Sequence, residues 1–180
     1  IMMDDKEKKG VSSKFILPDL AILDPLLTTN LPANITASTG IDAMVHAIEA
    51  FTSINSNNNP VSKMLSIEAL KLLGSSIKTA VFDGHNINAR SNMLLGSMLA
   101  GKAFANSPVA AVHALAYPIG GLFNISHGLS NSLVLTSVMK FNSKNEETKK
   151  NYAHLAPYVF KNLDNSKNDE FLCNNFINGL

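Results

Sequence analysis

The residues best equipped for chemistry begin with Asp42 and His46, set in Ser38-Thr39-Gly40-Ile41-Asp42-Ala43-Met44-Val45-His46-Ala47-Ile48-Glu49-Ala50-Phe51. Ala43, Ala47 and Ala50 favour helix, and Ser38 or Thr39 offers a side-chain oxygen to the first free N–H groups. Four residues apart on such a helix, the carboxylate and the imidazole project from one face, one turn above the other. Two readings are open at this point. One is a capping acid followed by a buried histidine; the other is half of a metal site.

The remaining histidines sort by context. His85 sits in the polar connection Asp83-Gly84-His85-Asn86, and His154 in Tyr152-Ala153-His154-Leu155 has no acidic or cysteine neighbour. Neither is expected to carry a site. His113 lies inside the apolar Val112-His113-Ala114-Leu115, where an unpartnered imidazole is costly to bury. His127 precedes Gly128 in Asn124-Ile125-Ser126-His127-Gly128, read as a glycine-flanked turn that leaves the ring free to face a cleft. Asp42, His46, His113 and His127 together supply three nitrogens and one oxygen. That set suits Fe²⁺ or Zn²⁺ and not the all-oxygen preference of Ca²⁺ or Mg²⁺. Glu49, three residues past His46, is either a partner that orients a ligand or a capping or surface acid. Cys173, in a polar stretch without a motif, reads as a free thiol.

Helices must position these groups. Val61 to Phe82, Asn88 to Ala105, Val109 to Ala116, Leu129 to Phe141 and Glu146 to Lys161 carry apolar residues at helical spacing. Ile54 to Pro60 reads as a loop, Pro118 with Gly120-Gly121 as a turn, and the chain after Leu163 as polar and Asn-rich. Near the N-terminus, residues 1 to 13 read as a charged loop or linker. Phe15-Ile16-Leu17 and Leu20-Ala21-Ile22-Leu23 read as short strands, with Asp19 and Asp24 as turn and cap acids. The expected architecture is therefore mainly α, with a short β-containing N-terminal remnant.

Composition narrows the classes. Of the 180 residues, 46% are hydrophobic and 16% charged, which describes a globular domain with a sizeable core. A formal net charge of +1 gives no electrostatic case for nucleic acid or an anionic membrane. One cysteine excludes an internal disulfide and suggests a reducing compartment, the cytoplasm. No apolar run reaches the ~18 residues of a membrane span, and the charged start does not resemble a signal peptide. Neither GxGxxG nor GxxxxGK[ST] occurs, so no dinucleotide affinity is expected of this chain alone.

The stretch Gly40 to Phe51 resembles one signature of the iron-containing (group III) alcohol dehydrogenases. Val112-His113-Ala114-Leu115-Ala116-Tyr117-Pro118-Ile119-Gly120-Gly121, followed by Ile125-Ser126-His127-Gly128-Leu129-Ser130-Asn131, resembles the other. Leu20 to Pro25, Asn59-Pro60, Ala103 to Asn106 and Val138 to Asn142 fall in family order, so the likeness runs over roughly residues 14 to 160. The resemblance implies the helical metal-binding domain of the dehydroquinate synthase-like, iron alcohol dehydrogenase fold. It further implies Fe²⁺ or Zn²⁺ held by Asp42, His46, His113 and His127, and NAD(P)-linked interconversion of a primary alcohol and an aldehyde. A homo-oligomer is implied as well.

Two departures qualify the likeness. The family's N-terminal dinucleotide-binding domain, with its Gly-Gly-Gly-Ser phosphate loop, has no counterpart here. Residues 1–30 resemble only its tail, residues 31–180 the helical domain, and the C-terminal helices are cut short. A fragment, inactive alone, is the expectation. Tyr117 stands where many members carry a histidine that moves protons or positions the nicotinamide, so a catalytic proton relay and simple packing beside the nicotinamide are both open for it. Alternatives to the main reading are a zinc-dependent polyol dehydrogenase of the same fold, a sugar-phosphate synthase relative, and a catalytically idle, metal-stabilised helical domain serving assembly.

Overall fold

The computed structural model describes residues 2–4, 7–11 and 13–180. Among the described residues, seven α-helices make up the body: α1 (Ala33–Thr52), α2 (Pro60–Phe82), α3 (Ile87–Asn106), α4 (Ala111–Leu122), α5 (His127–Asn142), α6 (Glu146–Val159) and α7 (Asp169–Gly179). A small antiparallel ladder, β1 (Met2–Asp4) with β2 (Glu7–Lys9), pairs Met2 with Lys9 and Asp4 with Glu7 and lies beside α4.

Helix α1 is the axis of the molecule. Ala43, Met44, Val45, Ala47, Ile48, Ala50 and Phe51 are all buried, too many for one stripe, because α2, α3, α5 and α6 pack around the helix. Small residues allow the close approaches. A Cβ on Gly40 would lie 2.7 Å from Met93 Cε of α3, and one on Gly96 would lie 2.7 Å from Leu73 Cγ of α2. Buried Arg90 ties α3 to the entry of α1, donating to Thr36 Oγ1 at 2.8 Å and to the Gly84 carbonyl at 2.9 Å.

The loop before α2 ends in a capping box. Asn59 Oδ1 accepts from Val61 N–H and Ser62 N–H at 2.9 and 3.1 Å, Ser62 Oγ accepts from Asn59 N–H at 3.0 Å, and Pro60 opens the helix. An Asn59→Ala variant is expected to lose about 1–2 kcal/mol of stability through these orphaned N–H groups. Thermal unfolding checks this, with a fall in Tm of about 2–8 °C expected for a chain of this size.

Several expectations are corrected. The runs Phe15–Leu17 and Leu20–Leu23 are not strands. The first forms a 3₁₀ turn (Lys14–Ile16), the second is irregular, and Phe15, Leu17, Leu20 and Ile22 are exposed. Among the described residues no strand runs alongside to take their backbone groups, and an unpaired strand is not stable in water. The β-containing remnant expected on those runs is thus absent, and the β ladder falls instead in the stretch read as a charged loop. Residues 1, 5, 6 and 12 of that stretch lie outside the described residues. Asp24 does cap a turn, accepting from Leu26 N–H at 2.9 Å.

Helix α1 begins at Ala33, so Ser38 and Thr39 are interior; their hydroxyls donate to the Ile35 carbonyl at 3.1 and 2.8 Å instead of capping. Helix α4 runs through Pro118 and both glycines. Pro118 and Ala114 are exposed, so the carbonyl that loses its partner to the proline lies on the solvent side. The Asn-rich C-terminal stretch folds as α7, capped by Asn168 and burying Leu172, Cys173, Phe176 and Ile177 against the core. Its apolar residues follow a helical i, i+4 period that the asparagines between them mask.

Candidate metal centre

Helix α1 carries Asp42 and His46 on one face, with His46 Nε2 4.0 Å from Asp42 Oδ1. Helix α4 brings His113 to the same place, its Nε2 3.7 Å from Asp42 Oδ1. The chain then reverses through Asn124 at φ 51°, a left-handed conformation that asparagine tolerates, with Ile125 N–H donating to the Gly120 carbonyl at 3.2 Å. This turn delivers His127, whose Nε2 lies 3.4 Å from Asp42 Oδ1. His127 is the first residue of α5 and not part of a turn before it, and Gly128 is helical. A Cβ on Gly128 would lie 2.2 Å from the Ser38 carbonyl oxygen, so only glycine lets α5 approach α1 this closely.

One donor atom from each of Asp42, His46, His113 and His127 lies within 4.8 Å of the others. Four donors around an ion at ~2.1 Å sit ~3.4 Å apart in a tetrahedron, so Asp42's separations from the three imidazoles fit such an ion with little adjustment. His85 is exposed on the connection to α3, and His154 stacks on Phe51 at 5.8 Å between ring centroids; neither joins the cluster.

The surroundings favour neutral imidazole. Burial holds His46 down to about 4, against the pull of Asp42 and with help from His113 and His127. At neutral pH its lone pair is therefore available to an acceptor. His46 is sandwiched between Phe104 and His113, at 4.6 and 4.7 Å between ring centroids. Tyr117, one turn beyond His113, rests its ring 5.6 Å from that of His127. Burial pushes its phenol above the usual tyrosine range, and Asp42 and Glu49 add to the shift.

Two residues complete the site. Asn131, one turn after His127 and fully buried, turns its Nδ2 to Asp42 Oδ1 at 2.5 Å, and to His113 Nε2 and His127 Nε2 at 3.3 Å each. Its amide nitrogen thus faces one oxygen and two ring nitrogens of the donor cluster, while its buried Oδ1 has no hydrogen-bond partner. The donor types, their convergence and this strained polar arrangement fit a divalent transition metal. Sequence reasoning passed over Asn131, although its i+4 spacing from His127 places it on the same helical face. Glu49, open between two readings, caps a helix other than its own and also touches His113. It accepts from Ala110 N–H at 2.9 Å and Val112 N–H at 2.7 Å at the start of α4, and it contacts His113 Nδ1 at 2.7 Å.

Fold and site define a helical domain built to gather one aspartate and three histidines from three helices. Residues 36–177 match the Fe-containing alcohol dehydrogenase family, C-terminal, and the chain belongs to that family. It is 48% identical over 134 residues to long-chain-alcohol dehydrogenase 1 of Geobacillus thermodenitrificans, a match covering 74% of this chain and 33% of that protein. The crystal structure of a 1,3-propanediol oxidoreductase superposes with a TM-score of 0.79 at 34% identity, covering 86% of this chain and 39% of the other. The sulfoacetaldehyde reductase of Bifidobacterium kashiwanohense, solved in complex with NAD⁺, superposes with a TM-score of 0.75 at 30% identity, over 93% of this chain and 44% of that one. The chain thus spans about a third of the length of the curated relatives it matches. Among the described residues no helix is long and apolar enough to cross a membrane.

Proposed function

We propose that this chain supplies the metal-holding half of an NAD(P)-dependent dehydrogenase that interconverts a primary alcohol and an aldehyde. The convergence of Asp42, His46, His113 and His127 carries the reading. In it, residues 31–180 are the helical metal-binding domain and residues 1–30 the tail of a dinucleotide-binding domain. A bound Fe²⁺ or Zn²⁺ supplies Lewis acidity, which eases loss of an alcohol's proton and polarises an aldehyde carbonyl. Asp42 contributes the charge that offsets the ion, and the three imidazoles contribute neutral donors. Phe104 stacks on His46 and Tyr117 lies beside His127, so aromatic rings border the cluster on two sides.

The hydride partner is assigned as NAD(P), in keeping with the NAD⁺ complex of the Bifidobacterium enzyme. Its pyrophosphate needs backbone N–H groups at a glycine turn leading into a helix, and we assign that task to the part of the longer relatives that this chain does not span. The names of the relatives, one acting on long-chain alcohols and one on 1,3-propanediol, support a primary alcohol as the substrate class. The test uses the complete enzyme, stripped by chelation and reloaded with Fe²⁺ or Zn²⁺. NAD(P)-linked oxidation of short and long primary alcohols is expected to vanish and return with the metal. Activity that is indifferent to metal overturns the proposal.

Tyr117 serves in this reading as a packing surface. Its raised pKa leaves it a protonated phenol at neutral pH, which makes it a poor base. A Tyr117→Phe variant of the complete enzyme is expected to keep its metal and to lose less than about tenfold in kcat. A loss of about a hundredfold or more, the range of general acid–base contributions, would make Tyr117 a proton carrier.

A further inference from the structure

Glu49 is 5% exposed and sits one turn past His46 on α1. Helix α4 begins at Ala111 without a side-chain cap from its own sequence, because Ala110 occupies the capping position. Glu49 fills that role from another helix. Its Oε1 accepts from Val112 N–H at 2.7 Å and its Oε2 from Ala110 N–H at 2.9 Å. The same Oε2 lies 2.7 Å from His113 Nδ1, on a ring that is itself 2% exposed. Both carboxylate oxygens thus face fixed N–H donors, and a carboxylate has only lone pairs to offer. The proton in the third contact therefore belongs to the imidazole, on Nδ1. A neutral ring with its proton on Nδ1 carries its lone pair on Nε2, the atom that faces Asp42 and Asn131.

We infer that Glu49 is a positioning residue. It locks His113 in the tautomer that presents Nε2 to the donor cluster, and the same carboxylate ties that tautomer to the capped start of α4. The inference rests on the metal-centre reading for its purpose but not for its geometry. A ligand's second nitrogen held by a carboxylate is oriented and made more basic, and loss of such a partner costs metal affinity about 10- to 100-fold.

The test replaces Glu49 by glutamine and reads two quantities. The ¹⁵N shifts of the His113 ring in the metal-free chain report the tautomer, and titration with Zn²⁺ reports affinity. Wild type is expected to show the Nδ1–H form. In Glu49→Gln the amide can present an N–H to Nδ1, so the ring should move toward the Nε2–H form, and the Zn²⁺ Kd should rise about 10- to 100-fold. A carboxylate that only caps α4 would give a different result: Glu49→Gln would lower Tm with the tautomer and the Kd unchanged. That overturns the inference. If the variant does not fold, wild type still decides, because a metal-free His113 carrying its proton on Nε2 overturns the inference without any substitution. Failure of folded wild type to bind Zn²⁺ is a separate outcome. It sinks the metal-centre reading, and with it the purpose assigned to Glu49.

Discussion

A chain in which His113 and His127 are both replaced by alanine is expected to lose essentially all binding of one divalent transition metal. Two of the four clustered donors disappear, leaving Asp42 and His46 on a single helix. Structural Zn²⁺ sites in zinc-finger peptides yield about 10–16 kcal/mol of apparent binding free energy; on that scale, removing half of the donors forfeits ~5 kcal/mol or more. That is more than a thousandfold in Kd, taking ~1.4 kcal/mol per tenfold change. Metal analysis after mild chelation and re-addition of Zn²⁺ or Fe²⁺ reads the result. Equal metal content in variant and wild type would place the metal elsewhere. Loss of His113 also leaves Glu49 with only Ala110 N–H and Val112 N–H, so circular dichroism should accompany the measurement. The single His127→Ala variant spares that contact. Iron or zinc found in a given preparation reports supply as much as preference, because zinc binds such donors more tightly than ferrous iron.

The second large effect is expected from a methyl group. In Gly128→Ala the new Cβ would stand 2.2 Å from the Ser38 carbonyl oxygen and 2.6 Å from its carbon. Both are backbone atoms in the interior of α1, where no rotamer change can relieve the clash. Helices α1 and α5 must part, and the cost should lie at the upper end of overpacking penalties, about 3 kcal/mol. For a chain of this size that corresponds to a fall in Tm of about 6–12 °C. The strain falls beside His127, so the 3.4 Å separation between its Nε2 and Asp42 Oδ1 should widen and metal affinity should drop as well. Gly101→Ala is the control. Nothing lies within 4 Å of a Cβ at that position on α3, and alanine is the better helix former by about 0.5–1 kcal/mol. A neutral or stabilised Gly101→Ala beside a strongly destabilised Gly128→Ala would trace the effect to the α1–α5 contact. Equal, small effects at both positions would disprove it.

Much of this protein is legible in its sequence because the relevant physics is local. Helical periodicity placed α2, α3, α5 and α6 to within a few residues, since the 3.6-residue repeat of apolar side chains is a property of each segment alone. The same repeat put Asp42 and His46 on one face before anything was known of their surroundings. The chemical types of Asp42, His46, His113 and His127 marked them as candidate donors, and two long motifs at their separation were enough for the family.

Other features belong to the tertiary structure, for a reason that recurs in each. Where α1 starts, whether α4 survives Pro118 and whether Phe15 to Leu23 form strands all depend on which neighbours take the backbone hydrogen bonds, and no single segment encodes its neighbours. Glu49 and His113 are 64 positions apart, and Asn131 and Asp42 are 89 apart. No spacing rule links residues at such distances. Only the packing of α4 against α5, and of α5 on α1, could show that the cap of one helix is a carboxylate of another. The same packing alone reveals that the amide of Asn131 faces three of the four donors, because burial forces polar groups to find partners wherever the fold puts them.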